Sequence, residues 1–145
     1  MYSSMAAARW VATSIGIPAG GTALEVEYRT GNQSSFRHIP FLNPVLRPIF
    51  GGDVFTGSLN FWADAPVAFP EPAVASVGAE PWWLIPVVIC ERVVGVAARK
   101  ASSGNIDFIE VFAREQLTPC LGLTPGCRVP LRLLSGKHLR LAAQP

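Results

Sequence analysis

"WWLIPVVICERVVGVAARK", residues 82–100, decides the fold. It holds two apolar runs, WLIPVVIC and RVVGVAARK, separated by almost nothing. Each is strand-sized and rich in β-branched residues, so the pair reads as a hairpin. The apolar run is too short to cross a membrane, and Pro86 interrupts it. Outside it, thirteen Gly and thirteen Pro cut the chain into further short β-rich pieces. TALEVEY (22–28) partly alternates, with Leu24, Val26 and Tyr28 on one side and Glu25 and Glu27 on the other, as a half-buried strand does. SFRHI (35–39) follows a Gly-Asn turn and reads as another strand. SLNFWA (58–63) alternates again. IDFIEVFA (106–113) puts Ile106, Phe108, Glu110 and Phe112 on one face. RVPLRLL (128–134) is a last core strand, with HLRLA trailing it.

Helical signals are few. REQLTPCLG (114–122) has room for one or two turns before Pro119 and Gly122 end it. NPVLRPIFG (43–51) reads as a single turn with Pro44 at its first position. The Pro/Ala-rich stretch 65–81 reads as a long loop. Short strands between turn signals, one or two short helices and no internal repeat point to a mainly β protein, a small closed barrel.

The composition bounds the rest. The chain has 145 residues, half of them hydrophobic and 15% charged, which supplies a core and excludes global disorder. It reads as one domain, residues 21–145, preceded by a weakly held segment, residues 1–20. That segment lacks the basic start and unbroken apolar centre of a signal peptide, so the expected location is cytoplasmic; the alternative is a start codon placed too early. A net charge of +2 without any basic run argues against nucleic acid as a partner. No membrane and no obligatory protein partner is expected. Cys90, Cys120 and Cys127 are scattered, as are His38 and His138, so no zinc spacing exists. Cys90 reads as a buried thiol. Cys120 and Cys127 flank a turn, and a reducing compartment disfavours a disulfide between them.

No common catalytic motif is present, neither a phosphate-binding Gly-rich loop ending in Lys nor a nucleophile elbow. Three places carry possible chemistry. TGNQSSF (30–36) is either a plain turn or a nest of N–H groups facing a phosphate. Ser58 and Asn60, two apart in a strand, share one side; they either bond the adjacent turn or offer neutral oxygens to Mg²⁺. Glu110, a carboxylate on an apolar face, needs a partner, either a core arginine or a ligand. Trp82 and Trp83 read as core, the alternative being a stacking surface.

Taken in order, VFTGSLN (54–60), PVVICERVVGVAARKAS (86–102), FIEVFAREQLT (108–118) and LTPGCRV (123–129) are similar to the motifs of the archaeal-type CTP-dependent riboflavin kinases. The resemblance covers residues 22–134 and rests on G-[ST]-L-N, I-E-[IV]-x-A and the final L-x-x-G turn in combination. It implies a six-stranded cradle-loop (RIFT-like) barrel and a transferase that moves a phosphoryl group from CTP, with ATP the less favoured donor, to riboflavin, giving FMN. In that reading Ser58 and Asn60 ligate Mg²⁺. Gly31, Asn32, Gln33 and Ser34 lie against the nucleotide, and Ala113, Arg114, Glu115, Gln116, Leu117 and Thr118 line its pocket. Glu110 and Ser102 hold the flavin, and Glu110 is also the candidate catalytic residue. The chain departs from the family pattern in keeping only Gly31 in the first turn, and in having Arg114 for proline and Thr118 for arginine. The alternative expectation is a non-catalytic flavin- or nucleotide-binding barrel.

Overall fold

A computed structural model describes residues 9–10, 17, 19–30, 35–52, 54–55, 58–77 and 79–140. In chain order its elements are β1 (Arg9–Trp10), β2 (Thr22–Arg29), α1 (Ser35–Phe50), β3 (Leu59–Val67), β4 (Ala73–Val77), β5 (Glu80–Ile89), β6 (Val93–Lys100), β7 (Ile106–Phe112), α2 (Leu117–Leu121), β8 (Arg128–Leu133) and β9 (Leu139–Arg140). Short 3₁₀ turns occupy Ala101–Ser103 and Gly136–His138.

The decisive stretch does form the hairpin β5–β6, eight residue pairs from Trp82↔Lys100 to Ile89↔Val93. At its tip Cys90 and Glu91 both take positive φ, 55° and 53°, and Arg92 N–H donates to the Ile89 carbonyl. That is the backbone of a type I′ turn, which normally calls for Asn or Gly. Arg132 on β8 holds it: its Nε and Nη2 donate to the two carboxylate oxygens of Glu91 at 2.6 and 2.9 Å.

Antiparallel pairing then runs β5-β6-β7-β3-β2-β8, and β8 returns to β5, closing a six-stranded barrel with β4 added outside β5. The closing seam is short, Val87↔Leu133 to Ile89↔Leu131. Pro86 sits at its margin. Its carbonyl accepts from Leu134 N–H, so its missing donor faces the side where β8 has already ended.

Two apolar layers follow from closure. Val26, Phe61, Ile85, Val87, Ile109 and Leu131 belong to the barrel interior. Leu42, Val45, Leu46 and Ile49 of α1 cluster instead with Leu84, Val88, Val96 and Phe112 on the outer face. β5 is thus buried on both sides from Leu84 to Ile89, which is why its sequence runs apolar without alternation. The same holds at the end of β7. Glu110 does share a face with Phe108 and Phe112, but the barrel interior takes the opposite parity, Ile109 and Val111. In β2, by contrast, Leu24, Val26 and Tyr28 turn inward as their alternation implies.

Three local expectations are corrected. Residues 35–39 are not a strand, and 43–51 are not one turn; 35–39 and 43–50 lie in the 16-residue helix α1, and Gly51 follows its end. Pro40, Pro44 and Pro48 recur every fourth residue, so their missing donors fall on a single stripe opposite Leu42, Val45, Leu46 and Ile49. Residues 65–81 are not one long loop: they contain the end of β3, all of β4 and the start of β5. α2 keeps Pro119 inside it and ends at Gly122, whose φ of 65° is the left-handed cap. The trailing segment does form a strand, β9, which pairs with β1. The expectation of a weakly held segment 1–20 falls mostly outside the described residues.

Candidate functional site

The register of β3 against β7 places Asn60 directly opposite Glu110, with Trp62 opposite Phe108 on the same outer face. Directly opposed residues of antiparallel strands share a face. Ser58, just before β3, completes the group: its Oγ donates to Glu110 Oε2 at 2.7 Å, across 52 positions of sequence. Glu110 is 7% exposed, while Ser58 and Asn60 are half-buried. Ala98 of β6 lies opposite Glu110 on the other side. The three residues thus form one corner of hydroxyl, carboxamide and carboxylate oxygens at the end of the barrel where β3 begins.

The segment after β7 reaches the same end. Phe55 N–H donates to the Ala113 carbonyl at 2.9 Å, tying the approach to β3 onto the exit from β7. Arg114 turns to the C-terminus of α1: its Nη1 donates to the Phe50 carbonyl at 3.4 Å, and a side chain added at Gly52 would meet its Nη2 at 3.0 Å. A cation at the negative end of a helix is favourably placed, so Arg114 is engaged in closing α1. Glu115 and Gln116 are exposed, Leu117 is buried in the barrel layer, and Thr118 is half-buried with its carbonyl accepting from Leu123 N–H.

The remaining sequence-derived positions fall as follows. Gly31, Asn32, Gln33 and Ser34 lie outside the described residues. Their flanks are placed: Arg29 pairs with Asn60, and Ser35 opens α1. Ser102 is exposed in the turn between β6 and β7, beyond Lys100, and so sits toward the opposite barrel end from Ser58. It is not brought together with Glu110. Trp82 is 5% exposed within the layer under α1, and Trp83 packs half-buried on the interior layer, so both serve the core.

Arg99 was missed by pattern reading. It is 4% exposed and points to the barrel interior, the face opposite Ala98 and Glu110. Its Nη1 donates to Val67 O (2.7 Å), its Nη2 to Phe108 O (2.9 Å) and Ile106 O (3.2 Å), and its Cζ lies 4.1 Å from the centre of the Phe69 ring. It therefore pins the irregular stretch of the β3–β7 ladder between Trp62 and Val67. Desolvation by burial lowers its pKa from the ordinary arginine value. A core arginine thus exists, but it serves backbone carbonyls rather than Glu110. Its signal in the sequence was a cation on the same strand parity as Gly95 and Ala97, in a strand apolar up to that point.

Beside the corner, Trp62 and Phe108 touch with ring centres 4.7 Å apart, and Arg29 lies over Trp62 at 4.9 Å while bonding Glu27. Among the described residues no group of three or more His, Cys, Asp or Glu gathers as a metal site. The corner's own donor set is different in kind, uncharged oxygens next to one carboxylate. Such hard ligands fit Mg²⁺ when phosphate oxygens complete its shell. The Ser58 hydroxyl donates its proton to Glu110, which leaves its oxygen as an acceptor. Cys90, Cys120 and Cys127 are free thiols, and burial pushes the Cys90 pKa up. No helix among the described residues is long and apolar enough to cross a membrane. No protein-family model and no curated protein matches the chain.

Proposed function

We propose that the protein is a riboflavin-kinase-like enzyme that transfers the terminal phosphoryl group of CTP to the ribityl 5′-hydroxyl of riboflavin, giving FMN and CDP. The observation that supports it most is the gathering of Ser58, Asn60 and Glu110 at one corner, joined by the 2.7 Å Ser58–Glu110 hydrogen bond. In the transfer, the bond from the γ-phosphorus to the bridging oxygen breaks, a bond to the ribityl oxygen forms, and the hydroxyl proton is released. Phosphoryl transfer of this kind depends on positioning and charge neutralisation rather than on a covalent nucleophile. Bound Mg²⁺ would neutralise the developing phosphate charge. Ser58 Oγ and the Asn60 carboxamide are the oxygens that would hold it. Glu110 would accept a hydrogen bond from the flavin and, secondarily, take the hydroxyl proton. The Ser58 hydroxyl fixes its orientation.

A second reading, a flavin-binding barrel without turnover, is favoured by one observation: Arg114, expected to line the nucleotide pocket, is engaged at the end of α1. A thermal-shift panel separates the two, because a ligand of the folded state raises the melting temperature by an amount that grows with the logarithm of its concentration over Kd. The panel holds riboflavin, FMN, CTP, CDP and ATP, each with and without Mg²⁺. The kinase reading expects riboflavin to stabilise alone and CTP to stabilise only with Mg²⁺, the latter effect vanishing in Asn60→Ala. Stabilisation by flavins alone would support the second reading. No shift from any ligand would sink both.

A further inference from the structure

In the seven-stranded sheet, every strand but one is paired on both sides by closure. β4 pairs only with β5, through an unbroken register from Ala73↔Leu84 to Val77↔Glu80. Among the described residues nothing pairs with its outer edge. Exposed edges are ordinarily blunted by lysine, proline or a bulge within the strand, because a bare row of N–H and C=O groups recruits other chains. The sequence of β4, AVASV, has none of these. It is uncharged, contains two β-branched valines, and is bulge-free against β5. Val74 of this strand is 51% exposed, a large apolar side chain facing solvent.

We infer that β4 is a dimerisation edge, pairing antiparallel with β4 of a second copy about a two-fold axis at Ala75. The sequence makes this pairing self-complementary. Pro72 has no N–H to donate, which confines the ladder to residues 73–77 and centres it on Ala75. In that register Ala73 faces Val77 of the second copy and Val74 faces Ser76. The two Val74 side chains then become diagonal neighbours across the axis, within packing reach. Depending on which parity points outward, the ladder adds roughly four to six hydrogen bonds. Such an isologous contact closes at two subunits.

The charges at the ends of the strand fit the same arrangement. Glu71, before β4, is bridged by Lys137 at 2.9 Å, and Glu80, after it, by Lys100 at 3.4 Å. Antiparallel pairing brings the Glu71–Lys137 pair of one copy beside the Glu80–Lys100 pair of the other. Each end of the ladder is therefore neutral, with alternating charges rather than opposed carboxylates. A parallel ladder, by contrast, would stack Glu71 on Glu71 and Glu80 on Glu80. This complementarity selects a second copy over an unrelated strand as the occupant.

Sedimentation equilibrium over a range from about 1 to several hundred µM tests the inference. The wild-type mass is expected to rise from 15.5 kDa towards twice that value with concentration. Val74→Lys sets two cations diagonally across the axis and is expected to stay monomeric, with an unchanged far-UV spectrum and, at a concentration low enough for the wild type to be monomeric as well, an unchanged melting temperature. Ser76→Lys serves as the second variant should the first fold poorly, with the same expectation. A wild type that remains monomeric throughout, or lysine variants that dimerise as tightly as the wild type, would overturn the inference.

Discussion

Arg132 and Glu91 show how a single side chain makes an unfavourable turn tenable. Cys90 and Glu91 both occupy the left-handed region without being glycine, and the fork of Arg132 reaches both carboxylate oxygens of Glu91 while its Nη1 donates to the Gly20 carbonyl at 2.6 Å. The hydrogen bond from Arg132 holds the Glu91 carboxyl below its ordinary value near 4.5. A carboxyl with a depressed folded pKa adds stability that is complete above the unfolded pKa and is lost as pH falls through the folded one. The melting temperature of the wild type should exceed that of Glu91→Gln by up to a few degrees at pH 7, as expected of an exposed ion pair. The gap should close as pH drops below about 4.5. Calorimetry from pH 3 to 7 checks this; a gap independent of pH would refute the linkage. At this scale the sequence was only partly legible. Alternation put Ser58 and Asn60 on one side, but what makes them a corner is the β3–β7 register that brings in Glu110, and a register is set by pairing across fifty residues. The role of Arg99 was hidden for a similar reason, since its acceptors are carbonyls of two other strands.

Among the elements, α1 forms against local propensity. Three prolines sit within sixteen residues, and proline in a helix interior costs about 3 kcal/mol. The helix persists because Leu42, Val45, Leu46 and Ile49 are buried against residues of β5, β6 and Phe112, while Pro44 is exposed on the other side. Local signals therefore read residues 35–39 as a strand and 43–51 as a single turn, and tertiary packing overrode both. The strands fared better where one face meets solvent, as in β2. They fared less well in 65–81, where Pro and Ala conceal β4. Pro44→Ala restores a helical donor on the exposed stripe. It is expected to stabilise the protein by roughly 1–3 kcal/mol in a urea titration, with an unchanged m-value. A destabilised variant would mean that the proline conformation is itself required at that position.

At the scale of the molecule, closure does two things at once. It hides the interior parity of each strand, and it brings the start of β3, the end of β7 and the end of α1 to one barrel end, where Ser58, Asn60, Glu110 and Ala113 meet. The barrel was legible because the β5–β6 hairpin and the turn-punctuated short strands leave few other ways to bury so apolar a chain. The seam between β5 and β8, three residue pairs long, was not. The proposed chemistry is tested most directly by turnover. Purified protein is incubated with riboflavin, Mg²⁺ and CTP or ATP, and FMN and CDP or ADP are separated and quantified. The expected result is FMN and CDP in equal amounts, dependent on Mg²⁺, with Asn60→Ala and Glu110→Gln lowering the rate by about a hundredfold or more while riboflavin binding survives in Asn60→Ala. Folded wild-type protein that yields no FMN from either nucleotide would contradict it.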